Sequence, residues 1–309
     1  LVLTGNQAGL TVDQLSSMAQ RLDLLGTTQG KASEALAEFA RGGRVGAESI
    51  ERFALAAINL EKVGGPAVAE TAKAFAELGK DPLQGLRMFF WEPLRNSYAL
   101  GELGLKATPL ALIALGLALA FRANVWNIGA EGQFILGAMA GGWVAMQAGP
   151  ETGRSIVLLI LLAGVAGGMA WAAIVAALRD RFHANEILVS LMLVYVAELL
   201  MGYLVYGPWK DPMGFNFPKT ISFLPVTQIP KLYEGTRLHI GLPLALAAVA
   251  GLWWLMARSM AGFALQVGGL APAAARYAGF SSRAALWGAL LLSGGLAGLA
   301  GALEAAGPL

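Results

Sequence analysis

Six long apolar segments with few charges lie between residues 107 and 304. Several approach the roughly 20 residues that an α-helix needs to cross the hydrocarbon core of a bilayer. Charged residues make up only 14% of the chain, whereas a typical soluble domain has about 25%. The sequence therefore predicts an all-α, polytopic membrane helix bundle of about six spans. The predicted spans cover residues 107–121, 130–148, 155–178, 187–207, 239–257 and 284–304.

The first 83 residues have a different composition from the rest. They contain eight Lys/Arg and ten Asp/Glu and no apolar run near membrane length. Thr11 is predicted to cap a helix that carries apolar residues at helical spacing and stops at Gly26, and no secretory signal pattern precedes it. Further short helices are predicted over residues 32–41 and 47–63. We expect an N-terminal soluble, alanine-rich helical segment over residues 1–83 and a transmembrane domain over residues 84–309.

A polar, glycine-interrupted segment over residues 123–142 lies between two apolar runs. Its polar groups cluster at one depth instead of following one face of a helix, which is typical of a re-entrant or interfacial backbone between membrane spans. We expect Asn127, Glu131 and Gln133 to be structural or to line a path. Pairs of small residues four apart recur in the spans and predict close helix packing: Gly137/Gly141, Gly164/Gly168 and Gly294/Gly298.

Glu198 lies in the middle of a predicted span. A carboxylate at membrane depth is costly and usually faces a cavity or a partner. Two roles are open for it: a hydrogen bond to a neighbouring helix, which we prefer, or a place in a substrate path or proton step. For Glu131 we expect a structural role in which its carboxylate accepts hydrogen bonds from backbone N–H groups.

Catalytic and metal-binding motifs are absent from the sequence. There are no cysteines, and the two histidines, His183 and His239, flank predicted spans. The chain contains no phosphate-binding G-x-x-x-x-G-K-[ST] loop, no G-x-S-x-G and no H-E-x-x-H, which are common marks of nucleotide hydrolysis and peptide or ester hydrolysis. We therefore predict no catalytic residues, no cofactor and no metal, and a chain that is not an enzyme. A net charge of +2 also argues against a nucleic-acid partner.

Three motifs in order resemble the permease subunits of bacterial ABC importers for nucleosides and related simple sugars. They are NVWNIGAEGQFILGA at 124–138, preceded by TPLALIALGLALAFRA, then FHANEILVSLMLVYVAELL at 182–200 and GGLAPAAARYAGFSS at 268–282. The resemblance covers about residues 79–309. It implies a multi-pass subunit of the bacterial inner membrane that works with a separate ATP-binding subunit, a second permease subunit and an extracytoplasmic solute-binding protein, in contact with membrane lipid.

The resemblance also implies an orientation, which the Lys/Arg counts of the loops leave open. It places residues 258–283 in the cytoplasm, where they dock onto the ATP-binding subunit, and the proline-rich loop of residues 208–238 outside. Because 258–283 contains no acidic residue, it can form a helix lying in a groove of a partner, and Pro272 can open that helix. The docking residues implied are Gly268, Pro272, Ala274, Arg276, Tyr277 and Gly279. The candidate path or structural residues are Asn127, Glu131, Gln133, Asn185 and Glu198.

Residues 1–83 resemble tail-length tape-measure proteins of long-tailed bacteriophages, through LTGNQAGLTVDQL at 3–15 and QGKASEALAEFARGGRVGAESIERFALAA at 29–57. Permeases of the family begin with an additional span and continue with further spans. The combined resemblance implies a permease domain truncated at both ends and suggests a fusion or misassembly of two proteins. The alternatives are a structural phage protein and a secondary transporter or intramembrane enzyme that uses Glu198.

Overall fold

The protein is described by a computed structural model. It describes residues 12–24, 33, 36, 37, 50, 54, 91–214 and 218–308. The chain divides into two compact units, residues 1–99 and 100–309.

In the first unit, helix α1 spans Val12–Leu24, and its Leu22 is fully buried. This confirms the helix predicted after Thr11. A short helix α2 follows at Glu92–Arg95. The other helices predicted for residues 32–41 and 47–63 fall outside the described residues, apart from single helical positions.

The second unit consists of helices and connecting loops in its described part. The helices run in the following order: α3 Ser97–Arg122, which begins in the first unit, α4 Ala130–Met146, α5 Ile156–Phe182, α6 Glu186–Tyr206, α7 Gly241–Arg258, α8 Met260–Leu270, α9 Pro272–Tyr277 and α10 Ser282–Ala305. A single 3-10 turn at Pro225–Thr227 lies in the loop between α6 and α7. This loop is otherwise irregular where it is described, as its prolines predict.

Five of the described helices, α3, α5, α6, α7 and α10, are long and apolar enough to cross a membrane. They coincide with five of the six predicted spans. The remaining predicted span corresponds to α4, which has 17 residues and lies at the lower limit of spanning length. The predicted polytopic all-α bundle is therefore confirmed. Helix α4 is the shortest of the six helices that correspond to the predicted spans.

The first predicted span, residues 107–121, is too short. Helix α3 begins ten residues earlier, at Ser97, and has 26 residues. The extension contains Glu102 and Lys106, which lower its hydropathy, and both are paired with residues far along the chain. Arg237 donates to Glu102, with a distance of 2.9 Å from Nε to Oε1, and Lys106 Nζ lies 3.2 Å from Glu304 Oε1. A helix can continue through paired charged residues, whereas a span predicted from hydropathy alone ends at the first of them.

Helices α4, α5 and α10 form the tightly packed centre of the unit. A Cβ atom added to Gly168 would lie 2.7 Å from the Cα of Gly298, and one added to Gly141 would lie 3.1 Å from the Cβ of Ala302. Gly137 also approaches the backbone of Gly298. The predicted small-residue pairs are confirmed as close-packing faces, where van der Waals contact between backbones replaces the hydrophobic effect as the source of association.

The connecting segments meet in two groups at opposite ends of α10. At its first turn, Arg283 Nε lies 2.6 Å from Asp180 Oδ2, and Gly269 touches the backbone of Arg122. At its last turn, the N–H of Ile229 donates to the carbonyl of Ala306 at 2.9 Å. We call these the Arg283 end and the Ile229 end. The structure thus places 122–127, 179–186 and 258–283 together, as alternating spans require.

Candidate functional site

A non-helical segment, residues 123–129, connects α3 to α4 and turns back into the unit. Asn124 has a left-handed backbone with φ of 55°, which is uncommon for a residue other than glycine. Along residues 125–129 the side chains are alternately buried and exposed, so that Val125 and Asn127 face inward and Trp126 and Ile128 outward. Irregular backbone at membrane depth is tolerated where protein buries it or where it lines a cavity. The predicted re-entrant character of this segment is consistent with that geometry.

Asn127 and Gln133 form a reciprocal amide pair inside the unit. Asn127 Nδ2 donates to Gln133 Oε1 at 2.8 Å, and Gln133 Nε2 donates to Asn127 Oδ1 at 2.9 Å. Asn127 also donates to the hydroxyl of Ser293 on α10 at 2.8 Å. All three side chains are buried. The network joins the irregular segment to α10, and the assignment of these two residues as structural or path-lining stays a prediction.

Removing one amide of the pair is expected to destabilise the unit. Replacing Gln133 with leucine leaves the Asn127 carbonyl buried without this donor, at a cost of about 1–3 kcal/mol. The double variant with Asn127→Leu should cost less than the sum of the single variants, because neither amide is then left unpaired. Thermal unfolding in detergent measures both effects. Gln147→Leu, at an exposed position, is the matched control, and strict additivity would contradict the coupling.

Asn185 is the N-cap of α6. Its side-chain Oδ1 accepts from the N–H groups of Ile187 at 2.9 Å and Leu188 at 3.4 Å, which satisfies two donors that the first turn leaves free. Next to it, Arg179 Nη1 lies 2.5 Å from Glu186 Oε1. The capped turn and this ion pair stabilise the junction between α5 and α6, and the role of Asn185 in transport stays a prediction.

The connection to α10 at the Arg283 end is also fixed by polar contacts. Asp180 accepts from Arg283 and, at 3.1 Å, from the indole N–H of Trp287. The hydroxyl of Ser281 accepts from the N–H of Ala284 and caps α10. These contacts fix the start of α10, where the segment formed by α8 and α9 ends. The roles of Asp180 and Trp287 were not predicted from the sequence. The one available signal was that the segment containing Arg283 has no acid to pair with it, so that its partner had to come from another segment.

The acid-free segment contains two helices, α8 and α9. Pro272 is the first residue of α9, which confirms the helix predicted to open there, whereas the apolar helix α8 was not predicted. In α9 only Ala275 is buried, while Ala274 and Arg276 are exposed and Tyr277 is 96% exposed. Helix α9 therefore presents small and basic side chains outward, with one apolar side chain holding it in place.

A glycine follows the second helix of this segment, whereas the glycine of the first helix lies inside it. Gly279 has φ of 82°, a left-handed conformation that favours glycine and that turns the chain back towards α10. Gly268 is partly buried near the end of α8. The structure thus places the six predicted docking residues in one continuous segment at the Arg283 end.

Glu198 lies about 18 Å along α6 from its first residue, at 1.5 Å per residue. The buried side chains of α6 are Ser190, Val194 and Ala197, and they share one face. Glu198 lies beside this face and is exposed, and Tyr195, one turn earlier, is 60% exposed. No described residue pairs with the Glu198 carboxylate, so the preferred hydrogen bond to a neighbouring helix is not observed within the described part of the chain.

Glu131 is exposed in the first turn of α4. Among the described residues no hydrogen bond to its carboxylate is present, so the structure gives no support to the structural role expected for it. A carboxylate in the first turn is favourably placed towards the positive end of the helix dipole.

At the Ile229 end, Asp211 organises the start of the long loop. Its carboxylate accepts from the N–H of Met213 at 2.9 Å and lies 3.1 Å from Lys219 Nζ. The backbone hydrogen bond, followed by the lysine, lowers the pKa of Asp211. At the other end of the loop His239 is buried, and burial lowers its pKa although Glu304 opposes the shift. These contacts give the irregular loop a defined conformation at its two ends.

Two family models match different parts of the chain. Residues 100–308 match the model described as branched-chain amino acid transport system, permease component. Residues 1–89 match the model described as prophage tail length tape measure protein. The domain boundary at residues 83 and 84 stays a prediction.

The relatives of this chain also include both permeases and tape measure proteins. The glucose ABC transporter permease of Haloferax volcanii is 37% identical over 251 residues, which cover 78% of this chain and 66% of the relative. The guanosine ABC transporter permease of Bacillus subtilis is 33% identical over 213 residues, which cover 68% and 60%. The tape measure protein of Escherichia phage lambda is 34% identical over 86 residues, which cover 28% of this chain and 10% of that protein.

The chain spans about three fifths to two thirds of the length of the permeases it matches. No solved structure matches it.

Proposed function

The chain belongs to the family of branched-chain amino acid transport system permease components, and on this basis we propose that it is the membrane-spanning subunit of an ATP-driven importer. Its cargo is a nucleoside or a related simple sugar, since permeases similar to it are named for glucose, guanosine and nucleosides. ATP is hydrolysed on a separate subunit. The chain itself is not an enzyme, and it resides in the bacterial inner membrane.

The observation that carries this proposal is the exposed, acid-free helix α9. A site that receives a soluble ATPase must project from the membrane, expose small side chains that allow close approach, and carry no acid that would be desolvated unpaired. Helix α9 and its flanks meet these requirements through Pro272, Ala274, Arg276 and Tyr277. In this arrangement the Arg283 end is cytoplasmic, and the Ile229 end receives the solute-binding protein.

The exposed face of α6 is the proposed lining of the translocation path. Glu198 lies near mid-membrane on this face, and an ionisable residue at that depth marks a water-filled cavity or a partner subunit. A second permease subunit facing α6 would enclose such a cavity between the two copies. Glu198 and Tyr195 can then offer a hydrogen-bond acceptor and an aromatic ring to a sugar or a base.

Uptake of radiolabelled guanosine and glucose tests this function. Cells carry the chain with the ATP-binding subunit and the solute-binding protein of the same importer. Uptake is expected to disappear when the ATP-binding subunit cannot hydrolyse ATP. Uptake that persists would contradict the proposal and favour a secondary transporter.

Glu198→Leu is expected to lower the same uptake by about tenfold, equivalent to roughly 1.4 kcal/mol, without lowering the amount of protein in the membrane. The loss follows from removal of the one carboxylate on this face of α6. Glu151→Gln, which changes an exposed acid in the loop before α5, is the matched control. Unchanged uptake by Glu198→Leu would contradict the proposal that Glu198 lines the path.

A further inference from the structure

A crevice at the Arg283 end lies between α3, α7 and α8. It has a volume of about 620 Å³, within the range of roughly 300–1,000 Å³ that is usual for small-molecule sites. Its walls are mainly apolar and include Leu115 and Ala118 from α3, Val249 and Trp253 from α7 and Phe263 from α8. None of the features assigned above, the amide pair, the docking helix α9 or the face of α6, belongs to it.

The crevice is open on the outer surface of these helices. Trp253 is 64% exposed and Phe263 is 52% exposed, and Ala118 is also exposed. Its walls extend for about 10 Å along α3, from Leu115 to Arg122, at 1.5 Å per residue. Because α3 and α7 both cross the membrane, a slot of this kind is bathed by hydrocarbon chains along most of its length and by headgroups where the helices end.

Two arginines lie at the headgroup end of this slot. Arg122 is the last residue of α3 and lines the crevice, and Arg258 is the last residue of α7. In the described part of the chain no carboxylate forms an ion pair with either of them, whereas Arg179, Arg237 and Arg283 are each paired with an acid. The helix dipole favours a cation at a helix C-terminus. It does not explain why an apolar crevice lies next to that cation.

We propose that this crevice binds an anionic phospholipid. One acyl chain lies along the apolar walls between α3 and α7, and the phosphate contacts Arg122, with Arg258 adding positive charge nearby. Basic pockets between transmembrane helices are suited to anionic headgroups, and a cationic side chain near a membrane surface contributes about 1 kcal/mol to such attraction. Trp253 fits the same position because its ring is amphipathic and favours the interface.

The site concerns lipid binding by the chain itself and needs no ATPase. We place the site in the cytoplasmic leaflet, and this placement alone rests on the proposed function, which makes the Arg283 end cytoplasmic. A chain that retains lipid but does not transport would overturn the importer proposal alone. A chain that transports but shows no lipid preference would overturn the lipid site alone.

Native mass spectrometry of the purified, delipidated chain tests the site by titration with phosphatidylglycerol or phosphatidylcholine. The wild type is expected to retain phosphatidylglycerol at least about tenfold more tightly, a difference of roughly 1.4 kcal/mol. Arg122→Gln should remove this preference. Ala118→Trp fills the apolar wall and should weaken retention of both lipids.

Arg154→Gln is the matched control, because Arg154 is an exposed arginine in the loop before α5, away from the crevice. It should retain phosphatidylglycerol as the wild type does. Equal retention of the two lipids by the wild type would overturn the proposal. Unchanged phosphatidylglycerol retention in both Arg122→Gln and Ala118→Trp would also overturn it, and elution at the wild-type volume on size exclusion shows that each variant is folded.

Discussion

Replacing Gly298 with valine is expected to prevent α4, α5 and α10 from packing. A Cβ atom at this position would lie 2.9 Å from the Cα of Gly168 and would also overlap the carbonyl oxygen of Gly164. Both contacts are with backbone atoms, which cannot rotate away as a side chain can. We expect a loss of about 3 kcal/mol or more in the free energy of unfolding, at or above the upper end of the usual cost of overpacking.

The amount of monodisperse protein extracted in mild detergent measures this effect. Gly288→Val is the matched control in the same helix, because a Cβ atom there meets nothing within 4 Å. The control should be extracted at the wild-type level, while Gly298→Val should aggregate. Equal yields from the two variants would contradict the central packing of α4, α5 and α10.

The small-residue pairs show what the sequence could predict. Glycines four apart lie on one face of a helix, and in a membrane such a face has one common use, which is close approach of backbones. The five long spans were predictable for a similar reason, because length and hydropathy decide whether a helix can cross. The helix opened by Pro272 followed from the local preference of proline for the first helical turn.

Contacts between distant residues could not be predicted. Nothing near Asn127 in the chain indicates that Ser293 accepts from it, since that pairing depends on where α10 lies. The start of α3 was missed because Glu102 and Lys106 lower the local hydropathy, and their partners at residues 237 and 304 lie far along the chain. Local sequence therefore predicted the type of most elements, whereas the pairing of distant residues could not be predicted from it.

Glu198 illustrates a different limit. Its position in a span predicted an unusual environment, but the choice between a neighbouring helix and an open cavity depends on the rotation of α6. The three buried side chains of α6 fix that rotation and leave Glu198 exposed. Its role is therefore tested by uptake and not by stability.

Replacing Ala274 with aspartate is expected to abolish binding of the ATP-binding subunit while the chain stays folded. Ala274 is exposed on α9, so a larger side chain meets no packing limit within the chain. In a docked complex the new carboxylate would be desolvated without a partner, at a cost of about 2 kcal/mol or more. Arg276→Glu reverses the exposed positive charge of the same helix and is expected to have the same effect.

Co-purification of the ATP-binding subunit of the same importer with the tagged chain from detergent extracts tests whether the chain docks that subunit through α9. We expect capture by the wild type and by Ser155→Asp, a control that adds the same charge in the loop before α5. We expect at least a tenfold lower capture, roughly 1.4 kcal/mol, by Ala274→Asp and by Arg276→Glu. No capture by monodisperse wild-type protein, or capture unchanged in both docking variants, would contradict the assignment of the chain as an importer permease that docks through α9.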